Sequence, residues 1–222
     1  MRTDADTLIA RRCCSSDIVF SFAPLTTIAA AAPLVADPIV RARGTFVGSV
    51  CHADPQGDWA ATMIALHGSI VVQGPKGKRS IAMKDFVLGP YANSMNYNEI
   101  AIEAVIPAPK GVARGGYLKL ERRVGDFATA SVAVALDMSG DTVLNAGFAL
   151  AGVGGKTIDA NEAASALIGQ KLTEATIAKA AALVAAKAEP RTDHRGSAEY
   201  KRHIIETFVK RILVANSAQK VA

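Results

Sequence analysis

The stretch Arg43-Gly44-Thr45-Phe46-Val47-Gly48-Ser49, followed by Asp54-Pro55 and Asp58-Trp59, holds the residue types that bind a phosphorylated ligand. Small residues let backbone amides approach a phosphate closely, and a following acid can accept hydrogen bonds from sugar-type hydroxyls. A plain turn with Asp58 as a helix cap explains the same residues. The other constellations carry less chemistry. Gly152-Val153-Gly154-Gly155-Lys156 lacks the spacing and the Ser/Thr after Lys that a P-loop needs, and reads as a turn between a strand and a helix. His52, His67, His194 and His203 are scattered, with no Cys, His or carboxylate at metal-ligand spacing. Cys51 and His52 are adjacent, and neighbours on an extended chain point to opposite sides, so they make no nucleophile and base pair.

The elements that must position these residues follow from composition and pattern. The 222 residues carry 25 Lys+Arg against 20 Asp+Glu, net +5, with half the chain apolar, which excludes a disordered tract. At roughly 150 residues per domain, two small domains are expected. The most apolar stretch, 28–40, is broken by Pro33, Asp37 and Pro38, short of the roughly 18 residues that a spanning helix needs. Acids at Asp4 and Asp6 argue against a signal peptide. Three cysteines, two of them vicinal at Cys13 and Cys14, build no disulfide framework and fit a reducing, cytoplasmic setting. Most of the net charge lies in 187–222, where eight basic residues face four acids. Mixed signs without interleaved aromatics read as a solvated or docking helix face and exclude nucleic acid.

Short apolar pieces occur at 8–10 and 18–22, and 28–32 reads as a helix stopped by Pro33. A polar loop is expected over 41–56, then a helix over 59–67 capped by Asp58. A hairpin with a five-residue loop is expected over 69–82, and a strand over 99–106 with Ile100, Ile102, Ala104 and Ile106 on one face. The prolines and glycines of 107–116 mark a domain boundary. Beyond it, strands are expected at 117–121, 130–137 and 142–151, then helices from Asp159 with Glu162, from Thr173, and along the stripe Tyr200, Ile204, Phe208, Ile212. The fold class is α+β.

The run from Val35 through Asp37-Pro38 and Arg43-Gly44-Thr45 to Ser49, with Ala53-Asp54-Pro55-Gln56-Gly57-Asp58-Trp59, resembles a known family. It is the medium, FAD-binding subunit of molybdenum hydroxylases of the carbon monoxide dehydrogenase and xanthine dehydrogenase type. Lys119-Leu120-Glu121-Arg122-Arg123-Val124-Gly125-Asp126-Phe127-Ala128-Thr129-Ala130 resembles its second signature, and Asp193-His194-Arg195-Gly196-Ser197-Ala198-Glu199-Tyr200 the lead-in to its last helix. The resemblance implies a partial PCMH-type FAD-binding domain over 1–109, lacking the usual N-terminal subdomain with its Ala-Gly-Gly-His-Ser/Thr turn. A carbon monoxide dehydrogenase flavoprotein-like C-terminal domain follows over 110–222, a three-stranded antiparallel sheet with three helices.

The resemblance further implies an FAD that relays electrons from the [2Fe–2S] clusters of a small subunit, beside a large molybdopterin subunit, to an external acceptor. By position, Gly44, Thr45, Gly48 and Ser49 would meet the FAD diphosphate and Asp58 the adenosine or ribityl side. Ala101 would contact the cofactor through its backbone, Lys119 would lie near the flavin, and Phe127 would lie near the isoalloxazine. No catalytic residue or metal ligand of the chain's own is implied. The alternative is a truncated, flavin-free scaffold that only docks to partner subunits. The family's loop reads Gly-Thr-Ile-Gly-Gly, and Val47 stands at the first paired glycine. If that position has positive φ, the β-branched residue strains it by about 1–2 kcal/mol.

Overall fold

The structure, a computed structural model, describes residues 7–10 and 26–217. The apolar piece at 18–22 and the Cys13-Cys14 pair lie outside the described residues. Strand β1 (Thr7–Ala10) is followed by helix α1 (Thr26–Ala31), which runs into a 3₁₀ turn at Ala32–Leu34. Where a loop was expected over 41–56 there are two short helices, α2 (Pro38–Arg43) and α3 (Phe46–His52). Each has a side-chain cap. The Asp37 carboxylate accepts the Val40 amide at 2.9 Å with Pro38 in the first turn, and the Thr45 hydroxyl accepts the Gly48 amide at 3.1 Å.

Helix α4 (Asp58–Ala65) is buried along its whole length. Its N-cap is Gly57 and Asp58 occupies its first turn without capping it, against the expectation that Asp58 would be the cap. Next come β2 (Ser69–Gly74) and β3 (Gly77–Ala82), joined across Pro75-Lys76 by a turn tighter than the expected five residues. A one-turn helix α5 (Met83–Phe86) leads to the small hairpin β4 (Val87–Gly89) and β5 (Ala92–Asn93). Strand β6 (Ile100–Pro107) completes an antiparallel sheet of order β1-β6-β2-β3. Its register jumps from Glu103 to Ala101 where β2 advances one residue, so Ile102 is a bulge. The bulge breaks the expected alternation: Ala104 and Ile106 are buried, but Ile100 is 65% exposed.

Strands β7 (Val112–Leu120), β8 (Ala130–Ser139) and β9 (Thr142–Ala151) form the expected antiparallel sheet, with β10 (Ile158–Asp159) added at its edge. Strand β7 starts five residues earlier than expected, so Gly115 and Gly116 lie inside it. Helices α1 and α4 cover one face, and α7 (Ala198–Ser217) covers the other, packed on α6 (Glu174–Ala186). A 3₁₀ helix at Asn161–Ala166 takes the place of the α-helix expected after Asp159, whose carboxylate accepts the Asn161 amide. Thr173 and Thr176 form a capping box that opens α6.

Alternation along the second sheet divides its side chains between two cores. Tyr117, Ala133, Ala149 and Ala151 join Trp59, Met63 and Phe46, while Val132, Val134, Phe148 and Leu150 join Val184, Ile205 and Val209. The first core therefore runs across the 109/110 line and fixes α4 against β8 and β9. A Cβ on Gly147 would lie 1.8 Å from the Ala65 carbonyl oxygen, so only glycine permits this approach.

Candidate functional site

Helix α3 presents Thr45, Gly48 and Ser49 on an exposed face, while Phe46 and Val50 are buried beneath it. Gly44 ends α2, donating its amide to the Val40 carbonyl at 2.7 Å. Val47 lies in the helix and is not among the described residues of positive φ, so the strain expected there does not arise. Gly48 owes its identity to the cap: a Cβ there would sit 2.7 Å from the Thr45 hydroxyl. The amides of Phe46 and Val47, in the first turn, have no intrahelical acceptor. Two such amides between the exposed hydroxyls of Thr45 and Ser49, at the positive end of the helix, suit an anion.

The Phe46 and Trp59 rings meet at 4.7 Å, which ties α3 to α4. The preceding residue of α4, Asp58, begins a buried polar cluster. Strand alternation puts Tyr117, Lys119 and Glu121 on one side, facing α4. The Tyr117 hydroxyl donates to Asp58 Oδ1 at 2.5 Å, and Lys119 Nζ lies 3.3 Å from Asp58 Oδ2 and 3.2 Å from Glu121 Oε2. Lys119 also donates to the carbonyls of Leu34, at 2.5 Å, and Asp126, at 3.0 Å. Its side chain is only 1% exposed. Burial pushes the Asp58 carboxyl above the ordinary aspartate value, outweighing the Lys119 ammonium and the Tyr117 hydroxyl. Burial and then the Asp58 carboxylate push the Tyr117 phenol well above its ordinary value.

Lys119 thereby joins three stretches of chain: the end of the 3₁₀ turn at Leu34, helix α4, and the turn carrying Gly125, Asp126 and Phe127. Gly125 has φ +84°, and a Cβ there would lie 3.0 Å from the Ala36 carbonyl, so this turn lies directly on the segment leading to α2. Phe127 is 49% exposed at the turn's end. Of the residues singled out from the sequence, Asp58, Lys119 and the Phe127 turn come together, and Thr45, Gly48 and Ser49 share α4 as a support. Ala101 lies on β6 opposite Val72, against the first core, on the strand where α3 packs. Tyr117 and Glu121 were missed. The period-2 pattern of 117–121 puts both on the Lys119 face, and that was the available signal.

Comparison with known proteins gives this arrangement its family. The FAD binding domain in molybdopterin dehydrogenase matches residues 6–109, and the CO dehydrogenase flavoprotein C-terminal domain matches residues 116–215. The carbon monoxide dehydrogenase medium chain of Hydrogenophaga pseudoflava is 38% identical over 201 residues, which is 90% of this chain and 69% of that one. The glyceraldehyde dehydrogenase medium chain of Sulfolobus acidocaldarius is 34% identical over 194 residues, 87% of this chain and 68% of that one. Among solved structures, carbon monoxide dehydrogenase from Hydrogenophaga pseudoflava superposes with a TM-score of 0.88 at 36% identity, covering 96% of this chain and 76% of that one. The chain belongs to the medium, FAD-binding subunits of molybdenum hydroxylases, and is an oxidoreductase subunit whose cofactor is FAD.

The residues present fit that cofactor. The exposed Thr45 and Ser49 hydroxyls and the first-turn amides of α3 match a phosphate's acceptors, and each Asp58 oxygen already holding one donor keeps a second lone pair for a sugar hydroxyl. The half-exposed Phe127 ring offers an apolar face. Among the described residues no cluster of His, Cys, Asp or Glu could hold a metal, and no helix is long and apolar enough to cross a membrane.

Proposed function

We propose that this chain holds FAD and relays electrons from the [2Fe–2S] clusters of a partner iron–sulfur subunit to an external acceptor, in a cytoplasmic assembly with a molybdopterin-bearing large subunit. Residues 1–109 would form the FAD-binding domain and 110–222 the C-terminal domain that completes it. When bound, the flavin supplies the redox chemistry, and the protein binds, orients and tunes it. Gly44, Thr45, Gly48 and Ser49 would receive the diphosphate at the start of α3. Asp58 would accept a hydroxyl of the sugar side, Ala101 would offer backbone, and Phe127 would face the isoalloxazine. Lys119, enclosed by four oxygens, would act on the site through the segments it joins.

The observation that carries this reading is the start of α3, where the exposed Thr45 and Ser49 flank first-turn amides that have no intrahelical acceptor, in a chain whose family binds FAD. The test is to purify the full chain with and without added FAD, remove excess cofactor and record the visible spectrum. Flavin absorbance near one equivalent is expected, and Thr45→Ala with Ser49→Ala should reduce its retention. A colourless protein after loading would favour a flavin-free scaffold.

A further inference from the structure

The third signature, 193–200, forms a braced loop beside the Phe127 turn. The amide and carbonyl of Asp193 pair with those of Gly196, both at 3.1 Å, and the Asp193 carboxylate accepts the Arg195 amide at 2.8 Å. Gly196 has φ +148°, which closes the turn. From α7 the buried Lys201 reaches back, with Nζ 2.8 Å from Asp193 Oδ2 and 2.9 Å from the Arg191 carbonyl. From this small braced loop Arg195 reaches the turn that carries Asp126 and Phe127. Its Nη1 donates to the Phe127 carbonyl at 3.3 Å and to Gln56 Oε1 at 3.5 Å, and its Nη2 lies 3.9 Å from Asp126 Oδ1. The side chain is 16% exposed.

We propose that Arg195 is a positioning residue that grips the Asp126–Phe127 turn from the C-terminal segment, in addition to the grip of Lys119 on the Asp126 carbonyl, and so sets how the Phe127 ring meets the flavin. The two cations take successive carbonyls, Asp126 by Lys119 and Phe127 by Arg195. Neither grip alone fixes a turn: one hydrogen bond permits rotation about it, and two on successive carbonyls do not. The guanidinium suits the outer place because its planar fork spreads its donors over several nitrogens, reaching a carbonyl, an amide oxygen and a carboxylate that lie apart, whereas an ammonium gathers its acceptors around one nitrogen. The same fork joins Gln56, two residues before Asp58, so the turn and the start of α4 are held in common. The flavin half of this inference rests on the function proposed above.

The test uses the full chain as wild type, Arg195→Gln and Arg195→Lys. Hydrogen exchange of residues 122–129 in the cofactor-free protein reads the grip. Arg195→Gln should raise exchange there about tenfold, the worth of one charge-assisted hydrogen bond, with strands β8 and β9 unchanged. Arg195→Lys should restore part of the protection. After FAD loading, Arg195→Gln should lower flavin affinity about fivefold to tenfold and shift the flavin band and midpoint potential, again with partial rescue by lysine. Unchanged exchange at 122–129 would overturn the grip. A looser turn with unchanged flavin spectrum, potential and affinity would overturn its role toward the cofactor. A wild-type chain that takes no FAD would instead overturn the flavin reading, and the exchange result would still decide the grip.

Discussion

Replacing Lys119 by methionine keeps the length of the side chain and removes its charge, and the structure gives the expected consequence. The ammonium is 1% exposed and meets Asp58 at 3.3 Å, Glu121 at 3.2 Å and the carbonyls of Leu34 and Asp126. Without it, Asp58 keeps one donor, the Tyr117 hydroxyl, and two carbonyls lose theirs. Removing one partner of a buried ion pair costs about 3–5 kcal/mol, because the other charge is left behind without compensation. For a chain of this size each kcal/mol moves the melting temperature by about 2–4 °C, so a fall of about 10 °C is expected. Thermal unfolding followed by circular dichroism at neutral pH measures it. Adding Asp58→Asn to Lys119→Met should return about half of the loss by neutralising the stranded carboxylate. The deficit should also shrink in acid. Asp58 binds its proton more tightly folded than unfolded, so the cost of its charge is absent below the unfolded value and sets in as pH rises through the folded one. A fall below about 2 °C, or no recovery in the double variant, would refute the ion-pair reasoning.

Three further outcomes follow from the same geometry. The raised Asp58 carboxyl makes the stability margin of the wild type over Asp58→Asn widen as pH falls through the folded Asp58 value, and denaturant titrations across pH check this sign. Val47→Gly should lower stability by about 0.5–1 kcal/mol and leave FAD retention unimproved, because Val47 is helical and glycine there only adds freedom to the unfolded chain. Burial pushes the Cys51 thiol to about 11, against an ordinary 9.0, so peptide-resolved alkylation at neutral pH should find it about a hundredfold slower than a solvated thiol.

The second sheet was legible because 130–137 and 142–151 are short, largely apolar runs bounded by turn residues, which is the local mark of strands buried on both faces. Helices α2 and α3 were not read, although Asp37-Pro38 and Thr45 with Gly48 are local start signals. Each helix is too short to nucleate by itself and is held by tertiary contacts such as Phe46 on Trp59. The Ile102 bulge is a property of pairing with β2 and leaves no mark on β6 alone. At Asp58 a good capping residue gave up that role because Tyr117 and Lys119, about sixty residues later, claim its carboxylate. The contact of Lys119 with Leu34 spans 85 residues, and no pattern within either segment announces it. Chemistry at the site was legible as residue types, and its division into contacts and supports was not.

On the function proposed above, the start of α3 receives the diphosphate of FAD. A crystal structure of the full chain grown with excess FAD tests it most directly. Density for the diphosphate within hydrogen-bond distance of the Phe46 and Val47 amides, with the isoalloxazine against Phe127, is the predicted result. An α3 face covered by the protein's own side chains, with FAD absent or bound elsewhere, would contradict it.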